Sequence, residues 1–279
     1  MYLYLILTIV LTLAGKILYD STSLRTKEHD FTRTDTQKPL TILFFSDLHY
    51  RYFWIRKKVL LNRLKDRPAD LVIFGGDLGY KDADEAFRWL TDLHEDLKEL
   101  WDKPDLPPIL GVWGNHDARI PRSQGRSSAY HFIENETFDL QHAGITWTIL
   151  GLGDLKTGRS KINEFLSGDV AFDDPEHSIL LAHNPDTFLL DVPRARLALA
   201  GHYHGGQIRL PFHLEFKLLR PSDKLAKDGV IEGFHILDGQ DTLISPGIGN
   251  TFLPFRFFSQ ATIHYIKLEE QIRLPKEAA

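Results

Sequence analysis

The chain has 279 residues, 43% of them hydrophobic and 25% charged, with 33 basic against 38 acidic side chains. That is ordinary globular composition and excludes a disordered, collagen-like or multi-span membrane chain, while the net charge of −5 argues against general nucleic-acid binding. Cysteine is absent and the single methionine is Met1, which removes disulfides, thiolate ligands, cysteine nucleophiles and thioether copper sites together.

Residues 1–15 carry no side-chain charge and are mostly Leu, Ile, Val and Tyr. Lys16 interrupts, and the apolar character resumes through Tyr19. Nineteen helical residues reach about 28 Å, enough to cross a hydrocarbon core, with Lys16 snorkelling to the headgroups. A cleaved signal peptide is the alternative. Against it, no Lys or Arg precedes the apolar stretch and no A-x-A site follows. We read residues 1–20 as a single-pass inner-membrane anchor. Lys16, Arg25, Lys27, Arg33 and Lys38 follow the apolar segment and predict a cytoplasmic main domain. Residues 21–39 are Ser/Thr-rich and alternately charged, a linker or a polar edge strand, and residues 40–279 form one catalytic domain.

From there apolar strand-like runs alternate with amphipathic helical ones. Strands are predicted at 41–46, 71–74, 109–113, 145–150, 178–182 and 197–200. Helical spacing marks 54–67, and a second helix follows the Asp82-x-x-Glu85 box with Phe87, Leu90, Leu93, Leu97 and Leu100 on one face. This alternation implies a layered α/β core. Beyond Gln207 the helical period is lost, and loops and strands close the domain.

The chemistry gathers where the apolar runs end. Asp47-Leu48-His49 follows the first run, Gly75-Gly76-Asp77 the second and Gly114-Asn115-His116-Asp117 the third. His183-Asn184-Pro185 and Gly201-His202-Tyr203-His204-Gly205-Gly206 follow two later ones. Ligands of α/β folds collect at the carboxyl ends of strands, so five strand ends deliver Asp, Asn and His toward one place. In extended backbone, residues two apart face the same way, so Asp47 and His49 share one cation, and His202 and His204 share one or serve two neighbours. Carboxylate, imidazole and amide donors suit Mn, Fe, Zn or Co. The remaining eight histidines read as surface or packing residues.

In this order D-x-H, G-D, G-N-H-D, H and G-H-x-H resemble the calcineurin-like metallophosphoesterase superfamily over roughly residues 40–260. The run GHYHGGQIRLP at 201–211 is similar to its bacterial membrane-associated phosphodiesterase branch. Tyr203 departs from the branch's usual Thr, and Gly79-Tyr80 stands where many relatives carry an acidic or aromatic-acidic pair. The resemblance implies an α/β fold, a four-layer α/β/β/α sandwich with metals at one edge, here joined to an N-terminal transmembrane helix. It implies two divalent ions, manganese foremost. Asp47, His49 and His204 would hold one, Asn115, His183 and His202 the other, and Asp77 would bridge them. His116 matches the residue that contacts the phosphate or protonates the leaving oxygen, and Asp117 would orient it.

The expected activity is a dinuclear phosphoesterase that cleaves a phosphodiester or pyrophosphate bond of a lipid- or nucleotide-linked substrate by attack of metal-bound hydroxide. Two divalent ions against Asp47, Asp77 and a bridging hydroxide leave about one positive charge, suited to an anionic diester. Alternatives are a UDP-2,3-diacylglucosamine pyrophosphatase of lipid A synthesis, a phosphoprotein phosphatase or nuclease, and a catalytically silent metal-bound scaffold. Arg119, Arg122 and Arg126 are candidate substrate ligands, with a solvated loop as the plain reading. Phe252, Phe255, Phe257 and Phe258 are assigned to the core, with a lipid-facing lip as the alternative. The expected partners are a phosphate-ester substrate and the membrane, with no nucleic acid.

Overall fold

A computed structural model describes residues 1–32, 38–79, 81–160, 174–219, 222–251 and 253–269. Arg33, Tyr80 and Phe252, singled out above, lie outside these residues. Among them the strands form two six-stranded mixed sheets. The first has the order β1-β12-β2-β3-β4-β5, with β1 (Leu24–Phe31), β2 (Leu40–Phe45), β3 (Leu71–Phe74), β4 (Ile109–Val112), β5 (Tyr130–Ile133) and β12 (Ala261–Leu268). The second has the order β10-β11-β9-β8-β7-β6, with β6 (Glu136–His142), β7 (Ile145–Gly151), β8 (Ser178–Leu181), β9 (Leu197–Ala200), β10 (Gly233–Leu237) and β11 (Gln240–Ile244).

The central strands are continuous apolar runs because each is buried on both faces. The period of two divides their side chains between layers. Leu40, Ile42 and Phe44 join Ile149, Ile179 and Leu199 in the core between the sheets, whereas Leu43 and Phe45 face the opposite way. There they pack against Leu60 and Leu64 of α2 (Lys57–Leu64) and Leu90, Leu93 and Leu97 of α3 (Ala83–Trp101). On the far side Leu180, Ala198 and Ala200 pack with Phe216 of α4 (Leu214–Leu219) and Ala226 of α5 (Lys224–Lys227). Helix, sheet, sheet, helix is the four-layer sandwich.

The predicted helix over 54–67 is shorter, and α3 begins after Asp82 without a side-chain cap bond from it. Asp84 and Glu85 in its first turn and Lys98 in its last complement the helix dipole, and a left-handed Asp102 ends it.

Helix α1 (Tyr2–Thr22) is long and apolar enough to cross a membrane and is unburied along its apolar length. Its last turn is not free. Buried Asp20 and Ser21 accept the backbone N–H groups of Phe258 and Arg256, each at 2.8 Å. Strand β1 follows and pairs in parallel with β12, Leu24 opposite Ala261. The polar stretch after the helix thus contains an edge strand.

Phe255, Phe257 and Phe258 are not in the core. Phe258 is 56% exposed, and Phe255 and Phe257 are only partly buried. The buried place goes to Arg256, fully enclosed, whose guanidinium donates to the carbonyls of Pro246 and Gly249 at 2.9 and 2.6 Å.

Candidate metal centre

Strands β2, β3 and β4 run parallel in one sheet, and β7, β8, β9 and β11 run parallel in the other. Hydrogen bonds tie their carboxyl-end loops across the sandwich. His202 N–H donates to both carboxylate oxygens of Asp47 at 3.1 Å, and His183 Nδ1 donates to the Gly75 carbonyl at 2.8 Å. Gly76, at φ +88°, allows this closeness, since a Cβ there would stand 2.8 Å from His183 Nδ1 and 2.9 Å from the Gly114 nitrogen.

The converging side chains form two groups. Asp47, His49, Asp77 and His204 make one, and Asp77, His183 and His202 the other, with the candidate ligand atoms of each within 4.8 Å of one another. His49 Nε2 faces His204 Nε2 at 3.2 Å, and His204 Nε2 lies 3.3 Å from Asp47 Oδ1. His183 Nε2 faces His202 Nδ1 at 3.1 Å. Asp77 Oδ2 stands between the groups, 3.4 Å from His49 Nε2 and 3.2 Å from His183 Nε2. Five of these residues, Asp47, His49, Asp77, His202 and His204, have left-handed backbone. Strain of roughly 1–2 kcal/mol at each is the kind that functional sites retain.

These residues fit a pair of metal ions. The donor set is borderline-hard oxygen and nitrogen. The facing imidazole nitrogens, His49 Nε2 with His204 Nε2 and His183 Nε2 with His202 Nδ1, stand close enough to ligate a shared cation through their lone pairs. Asn115 Oδ1 is buried with no hydrogen-bond partner, an acceptor of the type that closes the second group. The electrostatics agree. Burial disfavours charge on His183, yet Asp77, Asp47 and Asp154 push it up to about 10. Burial alone would raise Asp77, but His183, His49 and His116 hold its carboxyl well below the usual range. Burial lifts Asp47 to about 6 and lowers His49 to about 3. Three carboxylates driving one imidazole to protonate mark a pocket that attracts cations.

His116 is exposed beside the first group, its ring edge-on to His49 at 4.9 Å, and its backbone N–H donates to Asp77 Oδ1 at 2.9 Å. Asp117 does something other than orient that imidazole. Its buried carboxylate accepts the backbone N–H groups of Gly114, Asp77, Leu78 and Gly79 at 2.8–3.3 Å, clamping the β3 and β4 loops together. Burial and Asp77 push it up to about 7.

The three arginines divide. Arg122 makes a bidentate pair with Glu134 at 2.9–3.0 Å, donates to the Asp117 and Ile120 carbonyls, and lies 4.4 Å from the Trp113 ring centroid. Arg126 pairs with Glu136. Arg119 is exposed on the turn that follows His116.

Further polar residues surround the site. Buried Asp223 places Oδ1 3.7 Å from His202 Nε2 and 2.6 Å from Lys156 Nζ, backing that imidazole as carboxylates often back metal-bound histidines. Tyr203 OH donates to Asp186 at 2.6 Å, and Asp186 accepts the N–H groups of Lys224 and Leu225, fixing the segment that carries Asp223. Ser46 donates its hydroxyl to Asp47.

A four-layer sandwich with a histidine- and aspartate-lined pocket at the strand ends defines a metal-dependent phosphoesterase. Residues 40–206 match the calcineurin-like phosphoesterase family model, and the chain belongs to that family. It is a phosphoric ester hydrolase. Among its relatives are two uncharacterized metallophosphoesterases of Bacillus subtilis. YkuE is 31% identical over 82% of this chain and 78% of its own, and YkoQ is 29% identical over 82% and 84%. The phosphodiesterase YaeI of Escherichia coli is 28% identical over 63% of this chain and 65% of its own.

Proposed function

We propose that the protein is a dinuclear phosphodiesterase held at the cytoplasmic face of the inner membrane by α1, acting on a lipid- or nucleotide-linked ester. The observation that carries the dinuclear reading is the position of Asp77 Oδ2 between two imidazole groups. Asp47, His49 and His204 would hold one ion, Asn115, His183 and His202 the other, with Asp77 common to both and manganese the first candidate. Such a pair, when bound, supplies Lewis acidity that polarises the phosphoryl group and acidifies a water.

The chain's own residues supply the rest. His116, exposed beside the first group, donates a proton to the departing oxygen. Arg119, on the same turn, meets the phosphate or a second anionic group of the substrate. Asp117 keeps the β3 and β4 loops in register, so that Asp77 and His116 hold a fixed separation. Asp223, paired with Lys156, places a carboxylate 3.7 Å from His202 Nε2. Arg122 and Arg126 brace the loop through Glu134 and Glu136 rather than meeting substrate. The phosphodiesterase YaeI supports the diester preference.

The deciding experiment is a substrate panel on the full chain with added manganese. It compares bis-p-nitrophenyl phosphate, p-nitrophenyl phosphate and UDP-diacylglucosamine. Faster turnover of the diester is expected, and preference for the monoester would refute the diesterase assignment.

A further inference from the structure

C-terminal to α1, Phe212 is the most exposed large apolar side chain among the described residues, at 82%. Leu210 and Leu214 beside it are exposed as well, as are Leu253 and Phe258. The chain positions are far apart, but the two segments are joined. Arg209 N–H donates to the Phe257 carbonyl at 3.0 Å, and Phe257 N–H to the Gln207 carbonyl at 2.8 Å. The two segments that carry these five exposed side chains are therefore neighbours where residues 207–209 meet Phe257. Phe212 and Phe258 have positive φ, 59° and 56°, which is rare for a bulky side chain. A folded protein that turns two phenylalanines to the outside on strained backbone is not hiding surplus apolar area.

The second of these segments adjoins the end of α1. Phe258 N–H donates to Asp20, Arg256 N–H to Ser21, and Lys16 Nζ lies 5.0 Å from the Phe258 ring centroid. Lys16 and Asp20 are the charged groups that end the apolar stretch of α1, so they mark the depth at which the helix leaves hydrocarbon. Phe258 sits at that depth. The register of the first sheet adds a second argument. Leu24, just beyond α1, pairs with Ala261, while β12 runs antiparallel to β2 with His264 opposite Phe44. The helix therefore joins the domain at the end of the sheet where β2 delivers Asp47 and His49. That segment is tied to the metal pocket as well, because Ser259 Oγ donates to the His204 carbonyl at 2.7 Å.

We infer that the loops 208–214 and 253–258 form a lip that enters the interfacial layer of the bilayer crossed by α1, bringing the pocket mouth to headgroup height. The inference rests on the anchor reading of α1 given above. It deepens that reading: the ester phosphate cleaved is one presented in the plane of the membrane by a lipid, and the lip excludes water from the path between headgroup and pocket. Interfacial apolar surfaces bury about 5–10 Å into the headgroup and acyl boundary, within reach of Phe212 and Phe258 but not of the core.

Because the chain has no cysteine, single labelling sites are clean. Full-length variants Phe212→Cys, Phe258→Cys, Ile9→Cys and Ala143→Cys would each carry an environment-sensitive fluorophore. Ile9 lies within α1, and Ala143 lies exposed in the β6–β7 turn at the end remote from the pocket. Each is reconstituted into phosphatidylcholine–phosphatidylglycerol vesicles containing nitroxide lipid. With a nitroxide near the headgroups, the 212 and 258 labels should lose fluorescence and the 143 label should not. With a nitroxide at the bilayer centre, the 9 label should lose the most. A quenched 9 label with unquenched 212 and 258 labels overturns the lip while leaving the anchor standing. An unquenched 9 label overturns the anchor, and the lip with it. Equal quenching at 143 also refutes the lip, since depth would then be indifferent to position.

Discussion

Replacing Asp117 by Asn separates a clamp from a catalytic group. In the native chain one carboxylate oxygen accepts the N–H groups of Leu78 and Gly79, and the other those of Asp77 and Gly114. An amide of the same shape keeps one acceptor and presents an NH2 group to the other two donors. Two buried N–H groups are then left without acceptors, at about 1–3 kcal/mol each. Part of this is offset, because Asp77 no longer faces a second charge, the repulsion that with burial pushes Asp117 up to about 7. The net expectation is a loss of about 2–4 kcal/mol. It is measured by urea unfolding of the full chain in detergent at pH 8, where Asp117 is ionised. Manganese affinity should fall in parallel, because the misplaced donor includes the Asp77 N–H itself. A variant within about 0.5 kcal/mol of wild type, with unchanged manganese binding, would show that Asp117 clamps nothing.

Three further outcomes follow from the same geometry. His116→Ala should keep its metal content by elemental analysis yet lose about 10²–10⁴-fold in turnover, most of all on esters with poor leaving groups; an unchanged rate on such an ester removes the proton-donor role. Chelation should abolish hydrolysis and lower the melting temperature, and manganese at a hundred times its dissociation constant should return about 2.7 kcal/mol. His264 is fully buried, and burial, with His29, Lys27 and Arg25 nearby, holds its imidazole well below 6.5. The unfolded chain therefore binds the extra proton, so stability falls as pH drops below about 6.5, by up to about 1.4 kcal/mol per pH unit. In His264→Leu this portion of the acid sensitivity should vanish between pH 6.5 and 5, as read from melting temperatures against pH.

The residues that converge in the candidate metal centre were legible because each announces itself locally. Asp47, Asp77, Asn115, His183 and His202 all come directly after an apolar run, beside a glycine or a small polar residue, and strand direction then carries them to one edge. β5 and β6 were not legible. Glu136–His142 alternates only weakly and buries Leu140 alone, so nothing in composition distinguishes it from a loop. Asp223 and Lys156 were missed for another reason. Their relation to His202 exists only through folding, and no spacing in the chain encodes it. Arg122 and Arg126 show the converse error, since three arginines within eight residues suggest a shared anion until Glu134 and Glu136 arrive from the neighbouring hairpin. Phe255, Phe257 and Phe258 misled because aromatic residues are usually interior, and here a buried arginine takes that place.

The pairing of β1 with β12 orders the events of synthesis. Leu24 and its neighbours emerge long before the strand they need, Ala261–Leu268. At about 5–20 residues per second, β1 waits on the order of 10–50 s for its partner. β12 also lies between β1 and β2, so until it arrives the first sheet has a vacant slot rather than a finished edge. A ribosome that stops short of residue 261 would release a chain whose beginning has nothing to lie against.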